Sequence, residues 1–135
     1  MGMNLPLLHL MLVILVAAAG TGWAAPPGRE PAPAPEAAKI RFRLNDIRPD
    51  GLRGPPDGLT AVAYEFCVPA DERVYQEVRR IDPSVRFHPG SRGRIGCGKN
   101  QTLCLGETHQ PRWRDVLQKL AALAYIAEIR ECFFE

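Results

Sequence analysis

From Leu59 to the end of the chain the apolar pattern changes period again and again, in the order strand, helix, strand, strand, helix, strand, and few folds accept that order. Residues 59–68 alternate, with Val62, Tyr64, Phe66 and Val68 on one face and Ala61, Ala63, Glu65 and Cys67 on the other. Cys67 therefore points away from the larger apolar face. Pro69 suits a first helical turn, Asp71 and Glu72 suit the positive end of a helix, and Arg79 and Arg80 its negative end. Val74, Val78 and Ile81 supply the buried stripe, and Asp82-Pro83 stops it. Residues 85–88 read as a short strand, broken at Pro89-Gly90 and continued by residues 94–97. After the turn GKNQT, residues 103–108 read as its partner. Pro111 opens a second helix, in which Trp113, Val116, Leu117, Leu120 and Leu123 recur at helical spacing; a last strand spans residues 126–134, with Ala127, Ile129 and Phe133 on one face.

This order predicts an α+β class and, within it, a ferredoxin-like βαββαβ sandwich with two helices on one face of an antiparallel sheet. Ahead of it, KIRFRLNDI (residues 39–47) alternates Ile40, Phe42 and Leu44 with Lys39, Arg41 and Arg43, as an extra N-terminal edge strand with a charged face would. RPDGLRGPPDG (residues 48–58) has two Asp-Gly steps and a Pro-Pro, and reads as a long looped connection.

The N-terminus is an address rather than a fold. Residues 5–19 are apolar apart from Pro6 and His9, and small residues follow at Gly20, Thr21 and Gly22. That pattern predicts a signal peptide over residues 1–24, with Gly22 and Ala24 at the small positions of the cleavage site. No Lys or Arg precedes the apolar core, so an uncleaved anchor is the alternative, and a membrane is a partner only in that case. Residues 25–38, Pro/Ala-rich and without large apolar groups, read as a stiff linker, and residues 39–135 as a single small domain. The expected location is secreted or periplasmic.

In an oxidising compartment four cysteines in a small domain read as disulfides. Cys97 and Cys104 flank a six-residue turn, so a hairpin-end bridge between them is the first choice, and Cys67 pairs with Cys132 by elimination. The second pairing conflicts with the fold. In a ferredoxin-like sheet the first and last strands are antiparallel, which sends late positions on each to opposite ends, whereas a disulfide needs Cα atoms within roughly 7 Å. A thiol-histidine metal site of Cys97, Cys104, His109 and His88 is the alternative use, although the gap between thiols is wider than in zinc knuckles. Cysteine catalysis by Cys67 with His88 or His109 rests on residue types alone.

Between Arg86 and Arg114 six cations face one acid, Glu107, a net +5 over 29 residues in a chain whose total is +2. Arg86, His88, Arg92, Arg94, Lys99, His109 and Arg112 form the candidate patch for an anionic ligand or partner. Fourteen of the 17 basic residues are Arg, which favours planar contacts to carboxylate or phosphate. The low total excludes a general nucleic-acid binder. Gly90, Gly93, Gly96 and Gly98 would let backbone amides approach an anion, yet GSRGRIGCG is neither GxGxxG nor a Walker loop, and GSRG lacks the spacing of a nucleophile elbow. No catalytic residue, metal or cofactor is expected from these motifs.

The chain therefore reads as an exported small binding or interaction domain, non-enzymatic, with a basic Gly-rich disulfide-closed hairpin as its patch. The C-terminal stretch, VLQKLAAL before YIAEIRE, resembles the end of peptidase propeptides and related inhibitors, which also have a ferredoxin-like fold. That resemblance implies an inhibitor whose chain end, Phe133-Phe134-Glu135, is offered to a peptidase. The remaining alternative is a small thiol/His metal-binding protein or enzyme.

Overall fold

A computed structural model describes residues 35–134, with Gly2 and Gly22 as isolated points. The expected signal peptide and most of the linker lie outside the described residues. The chain divides into two units, Met1–Pro31 and Ala32–Glu135, and every named element belongs to the second.

Six strands and two helices follow a 3-10 turn at Ala37–Lys39: β1 (Leu52–Arg53), β2 (Thr60–Ala61), β3 (Ala63–Pro69), α1 (Glu72–Ile81), β4 (Arg86–His88), β5 (Gln101–Glu107), α2 (Trp113–Ala122) and β6 (Ile129–Glu131). The class is α+β, with two antiparallel sheets: β1 pairs with β2, and the larger sheet has the order β4-β5-β3-β6. Among the described residues no helix is long and apolar enough to cross a membrane.

The alternation in β3 does what its period requires. Val62, just ahead of the strand, and Tyr64, Phe66 and Val68 are buried, and join Val78 of α1 and Trp113, Val116, Leu117, Leu120 and Ala121 of α2 in one core cluster. Asp71 caps α1 by accepting a hydrogen bond from the Arg73 amide at 2.7 Å, and Glu72 stands in the first turn. The helix ends at Asp82, as Pro83 dictates. α2 has no such cap. Arg112 precedes it at φ 54°, in the left-handed region.

Four expectations are corrected. Residues 39–47 form no strand; their contact with the sheet is one parallel bridge, Ile40 to Ile129, in which the Arg41 amide donates to the Ile129 carbonyl at 2.9 Å. Beyond it Phe42 and Leu44 turn onto the core as irregular chain, so their burial is met without a ladder. The looped connection 48–58 contains β1, which pairs with β2 as a small hairpin docked on β6 through the Arg53–Glu131 ion pair. Residues 94–97 do not continue β4: the Gly96 and Cys97 amides both donate to the Arg92 carbonyl, which curls this stretch into a turn. The last strand is confined to Ile129–Glu131.

Candidate binding site

The segment between β4 and β5, residues 89–100, folds back across the sheet face opposite the helices. Alternation explains what it finds there. Glu65, Cys67 and Leu103 point to that face, because their neighbours Tyr64, Phe66 and Cys104 point to the helix-side core. Leu103 and Cys97 are buried without belonging to that core. Gly93, at φ 62°, lies flat on this surface. A Cβ there would stand 2.7 Å from Leu103 Cδ1 and 2.9 Å from Glu65 Oε2, so the close approach and the backbone conformation both favour glycine.

Two ties fix the middle of the loop to the sheet. The Ile95 amide donates to Glu65 Oε1 at 2.7 Å, which accounts for a carboxylate only 3% exposed on a strand. Cys97 is bonded to Cys67, with Cα atoms 5.5 Å apart. The expected bridges Cys97–Cys104 and Cys67–Cys132 are therefore replaced by Cys67–Cys97, and Cys104 and Cys132 are thiols. The cause is strand parity. Cys104 sits opposite Phe66 and faces the core, while Cys97 lies on the far side of the sheet. The conflict between the Cys67–Cys132 pairing and the strand order disappears with it.

Both thiols are held protonated. Burial, helped by the Asp82 charge, pushes Cys104 up to about 12. Burial also raises Cys132, reinforced by the charge of Glu65 and a hydrogen bond to it; Arg94 opposes the rise. Cys132 is thus close to both Glu65 and Arg94, on the loop side of the sheet.

The folded loop encloses a cleft of about 410 Å³, lined by Gly90, Ser91, Arg92, Cys97, Gly98, Lys99 and Gln101. Arg92 Nε donates to the Cys97 carbonyl at 3.3 Å, which holds the guanidinium stem against the cleft wall. Gln101 accepts from the Gly98 amide at 2.8 Å and shapes the opposite side. The lining carries two cations and no carboxylate.

The seven residues of the candidate patch do not converge. Arg92 and Lys99 meet in the cleft. His88 is adjacent: its carbonyl accepts from the Ser91 amide, and its Nε2 is buried without a hydrogen-bond partner among the described residues. Arg86 starts β4 opposite Leu105, and Arg94 stands by Cys132. His109 and Arg112 lie past the other end of β5, about 20 Å away at the rise of a seven-residue strand. His109 Nδ1 is 3.1 Å from the Asp50 carbonyl, in the seam that docks residues 49–51 on Thr108 and Trp113. Arg112 borders a separate cleft of about 550 Å³ between the helices, where Arg80, Arg112 and Lys119 are offset by Glu77 and Asp115.

Asp82 organises a second polar cluster, beneath that inter-helix cleft. Fully buried, it accepts from Tyr64 Oη at 2.5 Å, the Ser84 amide at 2.9 Å, Ser84 Oγ at 2.6 Å and Gln110 Nε2 at 3.0 Å. Burial and this neighbouring carboxylate raise the Tyr64 hydroxyl far above its ordinary value. Every oxygen of Asp82 is engaged, so the cluster is a structural tie. Among the described residues no group of three or more His, Cys, Asp or Glu is placed to hold a metal ion. The proposed thiol-histidine set is dispersed, with Cys97 in the disulfide, Cys104 in the core and His109 at the far end.

Sequence reasoning missed Glu65, Ser91 and Gln101, and it assigned Cys132 to a disulfide where the structure has a free thiol. Nothing in the strand pattern distinguishes Glu65 from a solvated charge; its burial is a product of the loop that returns over it. Compared with known proteins, the chain matches no family model, no curated protein and no solved structure.

Proposed function

We propose that this is an exported ferredoxin-like binding domain whose disulfide-pinned loop takes an anionic group, a carboxylate or a phosphate, from its ligand. The ferredoxin-like reading is supported by the order β3-α1-β4-β5-α2-β6 together with the sheet order β4-β5-β3-β6. Export is supported by the apolar N-terminal segment and by a disulfide, a bond that persists in oxidising compartments. The observation that carries the binding reading is the acid-free cleft, in which Arg92 and Lys99 flank the turns at Gly90-Ser91 and Gly98. Two cations without a counter-charge in the lining attract an anion.

The test is an amide-shift titration with inorganic phosphate and, separately, with a hexaglutamate peptide. Saturable shifts centred on Gly90, Ser91, Gly98 and Lys99 are expected for at least one probe, weakening as salt shortens the screening length below about 10 Å. Their loss in Arg92→Ala/Lys99→Ala supports the site, and unsaturable shifts spread over the surface refute it.

Phe133 and Phe134, exposed at 59% and 67%, favour the second reading, in which the chain end enters a peptidase. Inhibition of a chymotrypsin-like peptidase, abolished by Phe133→Ala/Phe134→Ala, would establish it. Unaltered peptidase activity at saturating protein would dismiss it.

A further inference from the structure

The loop that forms the cleft is fastened weakly, apart from one bond. Of residues 91–100, Cys97 alone is buried, Ile95 is half-buried and the rest are exposed, so little apolar area holds the segment down. Three of these residues, at positions 93, 96 and 98, are glycines and Gly90 precedes them; ordering glycine costs more chain entropy than ordering other residues. The hydrogen bonds from the Gly96 and Cys97 amides to the Arg92 carbonyl are internal; they shape the loop without attaching it. The middle of the loop is attached to the sheet by the Ile95 amide on Glu65 and the covalent Cys67–Cys97 bond, with Arg94 near Cys132, while at its end the Asn100 carbonyl accepts from the Ala70 amide at 3.0 Å.

We propose that the Cys67–Cys97 disulfide is a redox latch: its reduction releases residues 89–99 from the sheet, dismantles the anion cleft and opens the half-buried Cys132 further, while the helix-side core stays closed. The loss of anion binding rests on the function proposed above; the release of the loop does not. Cys97 itself lines the cleft, and its carbonyl holds Arg92, so the wall moves when that residue moves. Access for a reductant lies on the other side. Cys67 is half-buried and borders a small cleft of about 180 Å³ with Ile95, Gly96, Gln101, Ala127 and Glu128.

The reductant is a dithiol. Its thiolate attacks Cys67 Sγ, the S–S bond breaks, and the Cys97 thiolate leaves and takes a proton from solvent. The second thiol of the reductant then attacks the mixed disulfide through its own thiolate and releases the Cys67 thiolate, which is also protonated. Two electrons pass to the protein, two cysteine thiols form, and the reductant becomes a disulfide.

The two free thiols provide the readout, because they differ in setting: Cys132 is half-buried beside Glu65, the residue to which the Ile95 amide of the loop is tied, and Cys104 is fully buried in the core. The experiment is timed alkylation with iodoacetamide and peptide mass mapping on the full chain, oxidised and treated with dithiothreitol, and on Cys67→Ser/Cys97→Ser. At least a tenfold faster modification of Cys132 is expected after reduction and in the variant, with Cys104 still protected; urea should expose both. An unchanged rate at Cys132 overturns the latch. So does parallel exposure of Cys104 and Cys132 without urea, which would make the disulfide a support of the whole domain. A phosphate titration of the same samples separates the two proposals. Saturable shifts before reduction and none after it support the gate, and equal shifts in both states overturn it. Faster modification of Cys132 without phosphate binding in either state supports loop release and refutes the anion reading instead.

Discussion

Gly106 is the position at which one added carbon should do the most damage. It lies on β5 opposite Tyr64, and a Cβ there would stand 2.5 Å from Tyr64 Cε2, 2.6 Å from Tyr64 Cζ and 2.6 Å from Asp82 Oδ2. Non-bonded carbons settle about 3.5–4.0 Å apart, so the ring must withdraw by about 1 Å. Tyr64 and Asp82 are fully buried, and the ring leans on Phe66 and Phe42, with centroids 6.2 and 6.4 Å away, so the displacement runs into packed neighbours. It also pulls Tyr64 Oη off Asp82, breaking a 2.5 Å hydrogen bond to a buried carboxylate. Overpacking costs about 1–3 kcal/mol and a lost hydrogen bond to a charged group about 1.5–3, so Gly106→Ala should destabilise by about 3–5 kcal/mol. For a domain of this size that lowers the melting temperature by at least about 12 °C. Urea unfolding with an unchanged denaturant slope is the assay, and Tyr64→Leu supplies the control. Without the aromatic ring the new methyl meets less, so the two substitutions should couple by more than about 1 kcal/mol. A Gly106→Ala protein within about 1 kcal/mol of the parent, or additive behaviour with Tyr64→Leu, refutes the reasoning.

Two further predictions follow from single residues. Cys104 keeps its proton in the folded chain up to about 12, whereas the unfolded thiol titrates near 9.0. Between those values the unfolded state binds fewer protons, so stability falls as pH rises, by at most about 1.4 kcal/mol per pH unit from this group. Urea titrations across that window should show a shallower decline in Cys104→Ala, and an identical slope counts against the assignment. Arg112, at φ 54°, sits where a side chain costs about 1–2 kcal/mol. Glycine there relieves that strain at an entropic cost of about 0.5–1 kcal/mol, so Arg112→Gly should leave the domain as stable or more stable by up to about 1 kcal/mol. A loss of stability would show that the Arg112 side chain, which borders the cleft between the helices, matters through contacts of its own.

The helix stripes and the alternation of β3 were legible because burial on one face writes a period into the residues themselves. Val62, Tyr64, Phe66 and Val68, and Trp113, Val116, Leu117 and Leu120, occupy the core that their spacing implies. Residues 39–47 carry the same alternation, but a strand also needs a partner with free hydrogen-bonding groups, and β6 accepts it at Ile40 alone. Period two is a statement about side chains, and pairing is a statement about backbone. The cysteines misled for a related reason. Nearness along the chain favours Cys97 with Cys104, yet Cys104 takes its direction from the strand and Cys97 from a loop that crosses to the opposite face. Counting charge over residues 86–114 likewise treats as one patch what β5 holds apart at its two ends.

The Asp82 carboxylate gathers four points of the chain: Tyr64 on β3, the end of α1, Ser84 ahead of β4 and Gln110 ahead of α2. A residue inserted or removed between Ile81 and Arg86, or between Glu107 and Trp113, would displace one of those points from the others and strand a charge in the interior. Variation in chain length is therefore confined elsewhere. The exposed turn over residues 55–58 makes no contact with that carboxylate, and it is the place where a tag, a fused domain or new chain ends can be introduced with the two halves still in step.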